Sequence, residues 1–568
     1  MTIYRSHIAD FPTPDESLFT FLFEGKVDRE IPGATPAFID APTGRTITRS
    51  ELKAACLSLG WGLTNIFAKK LGGVELTRGD TVMIFSPNSF AWPFALLGSI
   101  AAGLRTTLAN SSYTPAELGY QWKDSGAKVV FTHPAFVPTV VTMLEAHGFS
   151  KTETRKRIIV MGLGDKEAIA KGFIHMDDLL GKGSLSAAER FDGPLSNETV
   201  FLCYSSGTTG KPKGVESTHK NIVSVCLMVQ PLFPPMQMGM DVMLGFLPFY
   251  HIYGAVLLLP FMLLVGSPVV IMPQFEPEAF CQNIEKYKVS MSLIVPPVCL
   301  AIIHHPATNK YNLKTLRFIM SGAAPLGASL ISAVHNKLKS VGANTVIPQG
   351  YGLTEMSPVS HLLPHDQFLS KVGSAGLLIP NLEARLVGID GVDVKPGEPG
   401  ELWLRGPTVM KGYLNNPTAT KESITADGWY KTGDVCTRDA DGFYHIVDRI
   451  KELIKYKGFQ VPPAEMEALL LQHPKIVDAA VIGVYSEEEA TELPRAYVVP
   501  KVKPAPGAES ATLSKEIQEW VRERVAKHKF LRGGVVIIDQ VPKSAAGKIL
   551  RRQLRDLAKT EYILKPRL

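Results

Sequence analysis

A run of hydroxyl, glycine and lysine residues begins at Ser205 and ends at Gly214, directly after an apolar stretch that predicts a strand over 200–204. Glycine lets backbone N–H groups approach phosphate oxygens closely, and hydroxyl and ammonium groups add hydrogen bonds and charge. The run therefore predicts a phosphate-binding loop, with a flexible surface hairpin as the alternative for this run taken alone. Because Pro212 stands where a Walker-type loop needs Ser or Thr, a conventional nucleotide-hydrolase loop is excluded.

Length and composition limit the classes of protein to consider. A chain of 568 residues exceeds what one hydrophobic core usually serves, so two or more domains are expected. The 60 Lys and Arg residues exceed the 54 Asp and Glu residues by only six, too small and dispersed an excess for nucleic-acid binding. The six cysteines are scattered and form no C-x-x-C pair, which predicts reduced thiols in an intracellular protein.

The most apolar segment covers residues 242–273, where 32 residues include no Asp, Glu, Lys or Arg. Its length suits a membrane span, but Pro248, Pro260 and Pro268 interrupt it, so we expect a buried strand, loop, helix and strand. A non-enzymatic membrane or scaffold protein organised around this segment is the competing hypothesis from another class. The first residues carry charges and no apolar core, so no secretory signal is expected.

Apolar runs and helical patterns alternate between about residues 45 and 275, which predicts parallel sheets with helices on both faces. The pattern recurs at 289–295, 316–320 and 345–348, and beyond residue 388 short strands with glycine-rich turns predict a small β-rich subdomain. A second domain then follows, with an amphipathic helix near 513–525. We expect an α/β protein with a large N-terminal domain of stacked, mostly parallel sheets over 1–450 and a small α+β domain over 451–568.

Five motifs occur in one order along the chain. They are the loop at 205–214, Gln349-Gly350-Tyr351-Gly352-Leu353-Thr354-Glu355, Gly428-Trp429-Tyr430-Lys431-Thr432-Gly433-Asp434, Asp448-Arg449-Ile450-Lys451-Glu452-Leu453-Ile454-Lys455 and Pro542-Lys543-Ser544-Ala545-Ala546-Gly547-Lys548. Together they resemble the adenylate-forming, AMP-binding acyl-CoA synthetases, and most of all 4-coumarate:CoA ligases. The resemblance runs from about residue 40 to 557 and implies the adenylate-forming fold with a mobile C-terminal domain.

The resemblance also implies a two-step reaction and its cofactors. A carboxylate attacks the α-phosphate of ATP to give an acyl adenylate and pyrophosphate, and the thiol of coenzyme A then displaces AMP. ATP, Mg²⁺ and coenzyme A are therefore the expected small molecules. Attack by an anion on a polyanion needs charge neutralisation in a preorganised site, which the cationic and hydroxyl residues of the motifs can supply.

The resemblance assigns the nucleotide contacts residue by residue. Phosphate contacts are expected from Ser205, Ser206, Gly207, Thr208, Thr209, Lys213 and Thr354, and Glu355 is the expected Mg²⁺ ligand. Contacts to the adenosine are expected from Ala323, Gln349, Gly350, Tyr351, Asp434 and Arg449, with Asp434 on the ribose hydroxyls. The acyl pocket is expected to include His251, Tyr253, Gly322 and Ala324. The resemblance also implies a catalytic role for His251, which gates the carboxylate site.

Lys548 is the expected electrostatic catalyst of the first step, because a lysine on a loop of small residues can reach both the carboxylate and the α-phosphate. In the resembling enzymes the small domain then turns about a hinge that matches Lys451. The turn removes Lys548 and brings Lys455 to the second step, with Lys457 and Gly458 lining the coenzyme A tunnel. Pro462-Pro463 replaces the usual Ala-Pro and predicts a variant helix start.

The substrate class and location stay open at this stage. We expect an aryl acid of the hydroxycinnamate or phenylacetate type, or a medium-chain fatty acid. An adenylating enzyme that loads a carrier protein, or a luciferase-like oxygenase, would share the same ATP motifs. The last three residues, Pro566-Arg567-Leu568, resemble a peroxisomal import signal, so the peroxisome and the cytosol are both open locations and an import receptor is a candidate partner.

Overall fold

The computed structural model describes residues 1–164, 172–205, 212–324, 326–457, 459–487, 489, 491–544 and 547–563. The strands are β1 (Tyr4–Arg5), β2 (Pro36–Asp40), β3 (Thr46–Thr48), β4 (Thr81–Phe85), β5 (Arg105–Ala109), β6 (Ala127–Thr132), β7 (Ile158–Val160), β8 (Ile174–His175), β9 (Thr199–Ser205), β10 (Lys213–Thr218), β11 (Met243–Gly245), β12 (Val269–Ile271), β13 (Met291–Ile294), β14 (Phe318–Ser321), β15 (Gly350–Gly352), β16 (Val359–Leu362), β17 (Leu377–Leu378), β18 (Glu383–Val387), β19 (Gly400–Arg405), β20 (Gly412–Tyr413), β21 (Tyr430–Arg438), β22 (Tyr444–Arg449), β23 (Ile454–Tyr456), β24 (Phe459–Val461), β25 (Ile476–Ser486), β26 (Thr491–Pro500) and β27 (Val535–Ile537). The helices are α1 (Leu18–Phe23), α2 (Lys26–Glu30), α3 (Arg49–Gly62), α4 (Ala68–Leu71), α5 (Trp92–Ala101), α6 (Pro115–Ser125), α7 (Val137–Ala146), α8 (Lys151–Arg155), α9 (Met176–Leu179), α10 (His219–Val229), α11 (Ile252–Leu257), α12 (Pro260–Val265), α13 (Pro277–Tyr287), α14 (Pro296–His304), α15 (Ala307–Lys310), α16 (Ala328–Ser340), α17 (Pro417–Ser423), α18 (Pro463–Leu470), α19 (Ala508–Arg522) and α20 (Arg551–Ile563).

An eight-stranded sheet has the order β20-β10-β9-β5-β4-β6-β7-β8. The strands from β9 to β8 are parallel, and β10 and β20 are antiparallel at one edge. β4 is buried along its whole length, as its unbroken apolar run predicts. The strand-and-helix alternation predicted for this part of the chain is confirmed. Because β9 ends at Ser205 and β10 begins at Lys213, the glycine-rich loop joins two paired strands at one sheet edge.

A six-stranded sheet has the order β14-β13-β11-β12-β2-β3 and is parallel except for the β2–β3 pair. The apolar segment 242–273 contributes β11, the helices α11 and α12, and β12, which confirms the predicted buried strand, loop, helix and strand. None of the helices in the described ranges combines the length and the apolar character that a bilayer crossing needs. The strand predicted at 345–348 forms only isolated bridges, since Pro348 has no N–H to donate to a ladder.

A five-stranded antiparallel sheet, β1-β18-β19-β21-β22, confirms the β-rich subdomain predicted beyond residue 388. The sheet also takes β1 from the other end of the chain, which the sequence pattern did not indicate. A separate three-stranded sheet, β15-β16-β17, carries the Gly350–Gly352 motif. The two sheets bring together motifs that lie about 80 residues apart, because Tyr351 on β15 forms a hydrogen bond with Asp434 on β21.

The C-terminal part has a hydrophobic core of its own. The large core includes residues as far along the chain as Tyr444, whereas a small core begins at Ile454 and contains Met466 of α18 and Val481 of β25. β25, β26 and β27 form a sheet against which α19 packs through Leu513, Ile517 and Val521, as the amphipathic pattern predicts. The domain boundary at 450/451 stays a prediction.

Candidate active site

One cavity of about 910 Å³ is lined by residues that lie between Leu108 and Lys548 along the chain. Its lining combines the ends of β9, β14 and β15 with α17 and with the loop that precedes α20. Of the residues that the sequence predicted, the lining includes Ser205, Lys213, His251, Tyr253, Gly322, Ala323, Gly350, Tyr351, Thr354, Glu355, Arg449, Lys451 and Lys548. The structure therefore brings most of the predicted site together.

The two ends of the glycine-rich loop stand in the cavity wall. Ser205 and Lys213 are paired across β9 and β10, and both line the cavity. The ammonium of Lys213 lies 4.1 Å from the centre of the Tyr413 ring, close enough for a cation–π contact. Four predicted phosphate contacts, Ser206, Gly207, Thr208 and Thr209, lie outside the described residues. Of the predicted phosphate-binding run, the described residues Ser205 and Lys213 thus line the cavity.

Glu355 lies on a short helical turn over 354–356, directly after β15. Its side chain is buried, and Tyr413 donates a hydrogen bond of 2.9 Å from Oη to its Oε1. Burial, followed by the Glu355 charge, raises the pKa of Tyr413 above its ordinary value, so the phenol stays a donor. Sequence reasoning missed Tyr413, because a single tyrosine 58 residues from its partner has no spacing signature.

Tyr351, Asp434 and Arg449 form a connected polar group beside the cavity. Arg449 Nε lies 2.9 Å from Asp434 Oδ1, and Tyr351 Oη donates a 2.6 Å hydrogen bond to Asp434 Oδ2. Burial acts to lower the pKa of Arg449, but the negative charges around it, that of Asp434 first among them, together outweigh burial and raise that pKa above its ordinary value. The carboxylate of Asp434 is thus fixed between a permanent cation and a phenol.

The carboxyl end of β14 supplies a wall of small residues. Ala323 adopts a left-handed φ of 69°, and a Cβ at Gly322 would lie 3.1 Å from the Tyr253 ring, so the aromatic ring packs on bare backbone. Gln349 does not line the cavity; its Oε1 accepts a 2.8 Å hydrogen bond from the N–H of Leu326 and so supports this wall from behind. Ala324 is half-buried in the same turn and does not line the cavity either.

His251 caps the start of α11. Its Nδ1 accepts a 3.3 Å hydrogen bond from the N–H of Tyr253, which assigns the proton of the neutral ring to Nε2. Burial, and secondarily the Lys548 charge, lower the pKa of His251 to about 4. The imidazole is therefore a neutral group at ordinary pH, with one N–H left to donate.

Lys548 reaches the cavity from the small C-terminal part. Its loop is closed by hydrogen bonds between Ser544 and Lys548, and a Cβ built on Gly547 would lie 3.2 Å from Pro297 of α14. The loop therefore lies directly against the large core. Burial, followed by the charge of Arg449, lowers the pKa of Lys548 from its usual value.

The residues expected to serve a second step lie elsewhere. Lys455 is exposed on β23, and Lys457 forms an ion pair of 2.8 Å with Glu489; neither lines the cavity. Gly458 lies outside the described residues. Lys451, the expected hinge, lines the cavity edge. This arrangement thus presents Lys548 to the cavity and keeps Lys455 and Lys457 away from it.

The cavity is lined by residues that belong to the part of the chain with the large core and by Ser544 and Lys548 near the C-terminus. The chain belongs to the AMP-binding enzyme family, whose model matches residues 27–414, and the AMP-binding enzyme C-terminal domain matches residues 465–548. It is 38% identical over 564 residues to 4-coumarate:CoA ligase 1 of Petunia hybrida, covering 97% of this chain and 96% of that protein. It is 39% identical over 492 residues to probable 4-coumarate–CoA ligase 1 of Dictyostelium discoideum, covering 86% of this chain and 87% of that protein.

A solved structure shows the same fold. The o-succinylbenzoate CoA synthetase MenE from Bacillus subtilis, in complex with the acyl-adenylate intermediate OSB-AMP, superposes with a TM-score of 0.75 at 26% identity. The match covers 98% of this chain and 99% of that one. The predicted adenylate-forming fold and the predicted family are confirmed.

Proposed function

We propose that this chain is an ATP- and Mg²⁺-dependent acid:CoA ligase that activates a carboxylic acid as acyl-AMP and transfers the acyl group to coenzyme A. The observation that carries the proposal is the position of Lys548 in the same cavity as Glu355 and Arg449. The likeness to 4-coumarate–CoA ligases over most of the chain supports the same reaction class.

In the first step, cationic and hydroxyl groups neutralise the reacting phosphates. Lys213 and the glycine-rich loop hold the distal phosphates, Asp434 and Arg449 hold the ribose, and Lys548 approaches the α-phosphate and the carboxylate. Neutral His251 donates from Nε2 and orients the carboxylate, since its lowered pKa keeps it uncharged. Such preorganised donors stabilise charge that develops in the transition state.

Glu355 fits the expected Mg²⁺ ion on chemical grounds. It is a buried carboxylate that Tyr413 holds through one oxygen, and hard cations prefer carboxylate and phosphate oxygens. Among the described residues, no three His, Cys, Asp or Glu side chains converge into a ready-made metal cluster. We propose phosphate oxygens of ATP and water as the remaining ligands. Bound there, Mg²⁺ would offset the negative charge of the phosphates.

In the second step the small domain turns about Lys451, so that Lys548 leaves and the segment with Lys455, Lys457 and Gly458 approaches the cavity. The arrangement described above supports this proposal, because Lys548 lines the cavity whereas Lys455 and Lys457 do not. Release of pyrophosphate and entry of a bulky thiol both require such an opening.

The acid is proposed to be uncharged beyond its carboxylate. Around Tyr253 the lining includes Met320, whose carbonyl accepts a 3.3 Å hydrogen bond from Tyr253 Oη, and Gly322, on whose backbone the Tyr253 ring packs. Such a wall suits an aryl acid of the hydroxycinnamate or phenylacetate type, or a medium-chain fatty acid. Import into peroxisomes through Pro566-Arg567-Leu568 stays a proposal; deletion of these three residues from a fluorescent fusion is expected to abolish any punctate peroxisomal signal.

Pyrophosphate release from ATP, measured with cinnamic, phenylacetic, benzoic and medium-chain fatty acids, tests the function. At least one acid is expected to trigger release, and coenzyme A is expected to yield the matching thioester. Release without a thioester would favour an enzyme that loads a carrier protein or oxidises its adenylate. If none of the acids triggers release, the ligase proposal is wrong for these substrate classes.

A further inference from the structure

A buried carboxylate ties the large core to the small one. Asp448 belongs to β22, where it stands opposite Val435 in the five-stranded sheet, and its side chain is buried. Its Oδ2 accepts a 2.9 Å hydrogen bond from the N–H of Ala464 in α18, whose Met466 packs in the small core. The bond therefore crosses the predicted hinge at Lys451. We refer to it as the cap bond.

The start of α18 explains why an external acceptor is needed. Pro462 occupies the N-cap position and provides no side-chain hydrogen bond, and Pro463, the first helical residue, has no N–H. Ala464 is thus the first residue of the helix with an N–H to satisfy. Asp448 supplies both an acceptor and a negative charge at the helix N-terminus, where a negative charge is favourable.

The same carboxylate is tied to the hinge. Asp448 Oδ1 accepts a 2.7 Å hydrogen bond from the N–H of Arg449, the residue that pairs with Asp434. Burial raises the pKa of Asp448, while the two N–H donors and the charge of Arg551 act against that rise. A single side chain therefore connects the start of α18 with the backbone of a nucleotide-binding residue.

From α18 the connection continues to the loop that carries Lys548. Arg551 follows Lys548 by three residues. Its Nη2 donates hydrogen bonds of 2.7 Å and 2.8 Å to Oε1 and Oε2 of Glu467 in α18. Arg551 also lies 3.0 Å from Oε2 of Glu452, which follows the hinge. All three side chains are largely buried, so α18, the hinge segment and the start of α20 are fixed to one another.

We propose that Asp448 is a positioning residue for the first half-reaction: its cap bond to Ala464 stabilises the arrangement in which Lys548 occupies the cavity. The inference rests on the proposed function and on the turn about Lys451. Since Asp448 lies before the hinge and Ala464 after it, the turn separates them, and both groups become hydrated in the second arrangement. The cap bond therefore favours adenylation and contributes nothing to thioester formation.

Separate measurement of the two half-reactions tests this inference. The first half-reaction is measured as pyrophosphate release with whichever of the four classes of acid tested for the proposed function reacts fastest. The second half-reaction is started with the synthetic acyl-AMP of the same acid and coenzyme A. Asp448→Ala is expected to slow pyrophosphate release about tenfold, the effect of losing one hydrogen bond of this kind. Thioester formation from the supplied acyl-AMP is expected to stay unchanged or to become faster. Asp448→Asn, which keeps one acceptor oxygen, is expected to be intermediate.

Glu465→Gln is the matched control. Glu465 is in the first turn of the same helix, and its ion-pair partner, Lys529, lies after the hinge as Glu465 does. The variant therefore removes a carboxylate from α18 but leaves the cap bond in place. It is expected to leave both half-reactions unchanged. Equal slowing of both half-reactions by Asp448→Ala, or no slowing of either, would overturn the inference. A wild-type protein that forms neither acyl-AMP nor thioester would instead count against the proposed function.

A distance measurement tests the inference without any acid. Spin labels on Lys339→Cys in α16 and Lys515→Cys in α19, both exposed positions, report the placement of the small part relative to the large one. The native cysteines are buried. With ATP bound, Asp448→Ala is expected to broaden the distance distribution or shift it from that of the double-labelled parent. An unchanged distribution contradicts the proposed role of the cap bond.

Discussion

Asp434 and Arg449 face each other across the antiparallel pair β21 and β22, with Asp434 Oδ1 2.9 Å from Arg449 Nε. Strand register places the two residues opposite each other, and Tyr351 from another sheet completes the group. Arg449 and Tyr351 thus fix the orientation of the Asp434 carboxylate. Preorganisation of this kind lowers the entropy cost of binding.

Asp434→Asn is expected to raise the KM for ATP about 10- to 100-fold, because it leaves the Arg449 charge without its carboxylate and removes an acceptor for the ribose. Initial rates at varied ATP concentration measure the effect. Tyr351→Phe, which removes only one hydrogen bond, is expected to raise the KM less. If the Asp434→Asn variant has the same KM for ATP as the parent, the proposed contact between Asp434 and the ribose is contradicted.

Lys548→Ala is expected to slow pyrophosphate release by about 10²–10³, the cost of losing one preorganised charged donor. Thioester formation from supplied acyl-AMP is expected to proceed at the parental rate, since Lys548 leaves the cavity for that step. Arg552→Ala removes an exposed cation four residues away and serves as the control. A loss of equal size in both half-reactions would show that Lys548 has no selective role in the first.

Gly547→Ala tests the contact that delivers Lys548. The glycine has a φ of +78°, and a Cβ there would lie 3.2 Å from Pro297 and 3.4 Å from Val295, so alanine must push the loop away from the large core. We expect slower pyrophosphate release with thioester formation retained. Gly534→Ala is the control. Gly534 also has a positive φ, +93°, so alanine strains the backbone there as well, but its Cβ would meet open space. If both variants behave alike, backbone strain alone explains the result.

Gly322→Ala tests the acyl wall. Its Cβ would lie 3.1 Å from the Tyr253 ring and narrow the pocket, so activity is expected to fall more for bulky aryl acids than for short acids. The ratio of kcat/KM values for two acids of different width measures this change. Gly327→Ala, whose Cβ would meet open space, is the control. If the ratio of the two kcat/KM values is the same in Gly322→Ala and in the parent, the acyl group does not bind beside Gly322.

His251 gives a pH-dependent prediction. Its folded-state pKa of about 4 lies below the ordinary value near 6.5, because burial first and Lys548 second disfavour the charged ring. Between these values the unfolded chain binds a proton that the folded chain does not, so stability is lost as the pH falls from 6.5 to 4. His251→Gln is expected to reduce this loss, which melting temperatures across the pH range would measure. A parental pH dependence in the variant would contradict the assignment.

Most of the site residues predicted from the sequence line the cavity, because each motif is a contiguous string with a chemical role. Contacts between distant single residues could not be predicted in this way. Tyr413 reaches Glu355, and Asp448 reaches Ala464, only through strand register and the placement of the small core. Lys455 and Lys457 were predicted from a motif as Lys548 was, but only Lys548 lines the cavity, because a motif does not show where its residues lie in one arrangement of the chain.

The path of one oxygen atom tests the central claim most directly. The acid is supplied with ¹⁸O at both carboxylate oxygens, together with ATP and coenzyme A, and the products are analysed by mass spectrometry. If the carboxylate attacks the α-phosphate and the thiol then attacks the acyl carbon, each AMP carries one ¹⁸O and the pyrophosphate carries none. Unlabelled AMP, or label in the pyrophosphate, would contradict the formation of an acyl adenylate in this cavity.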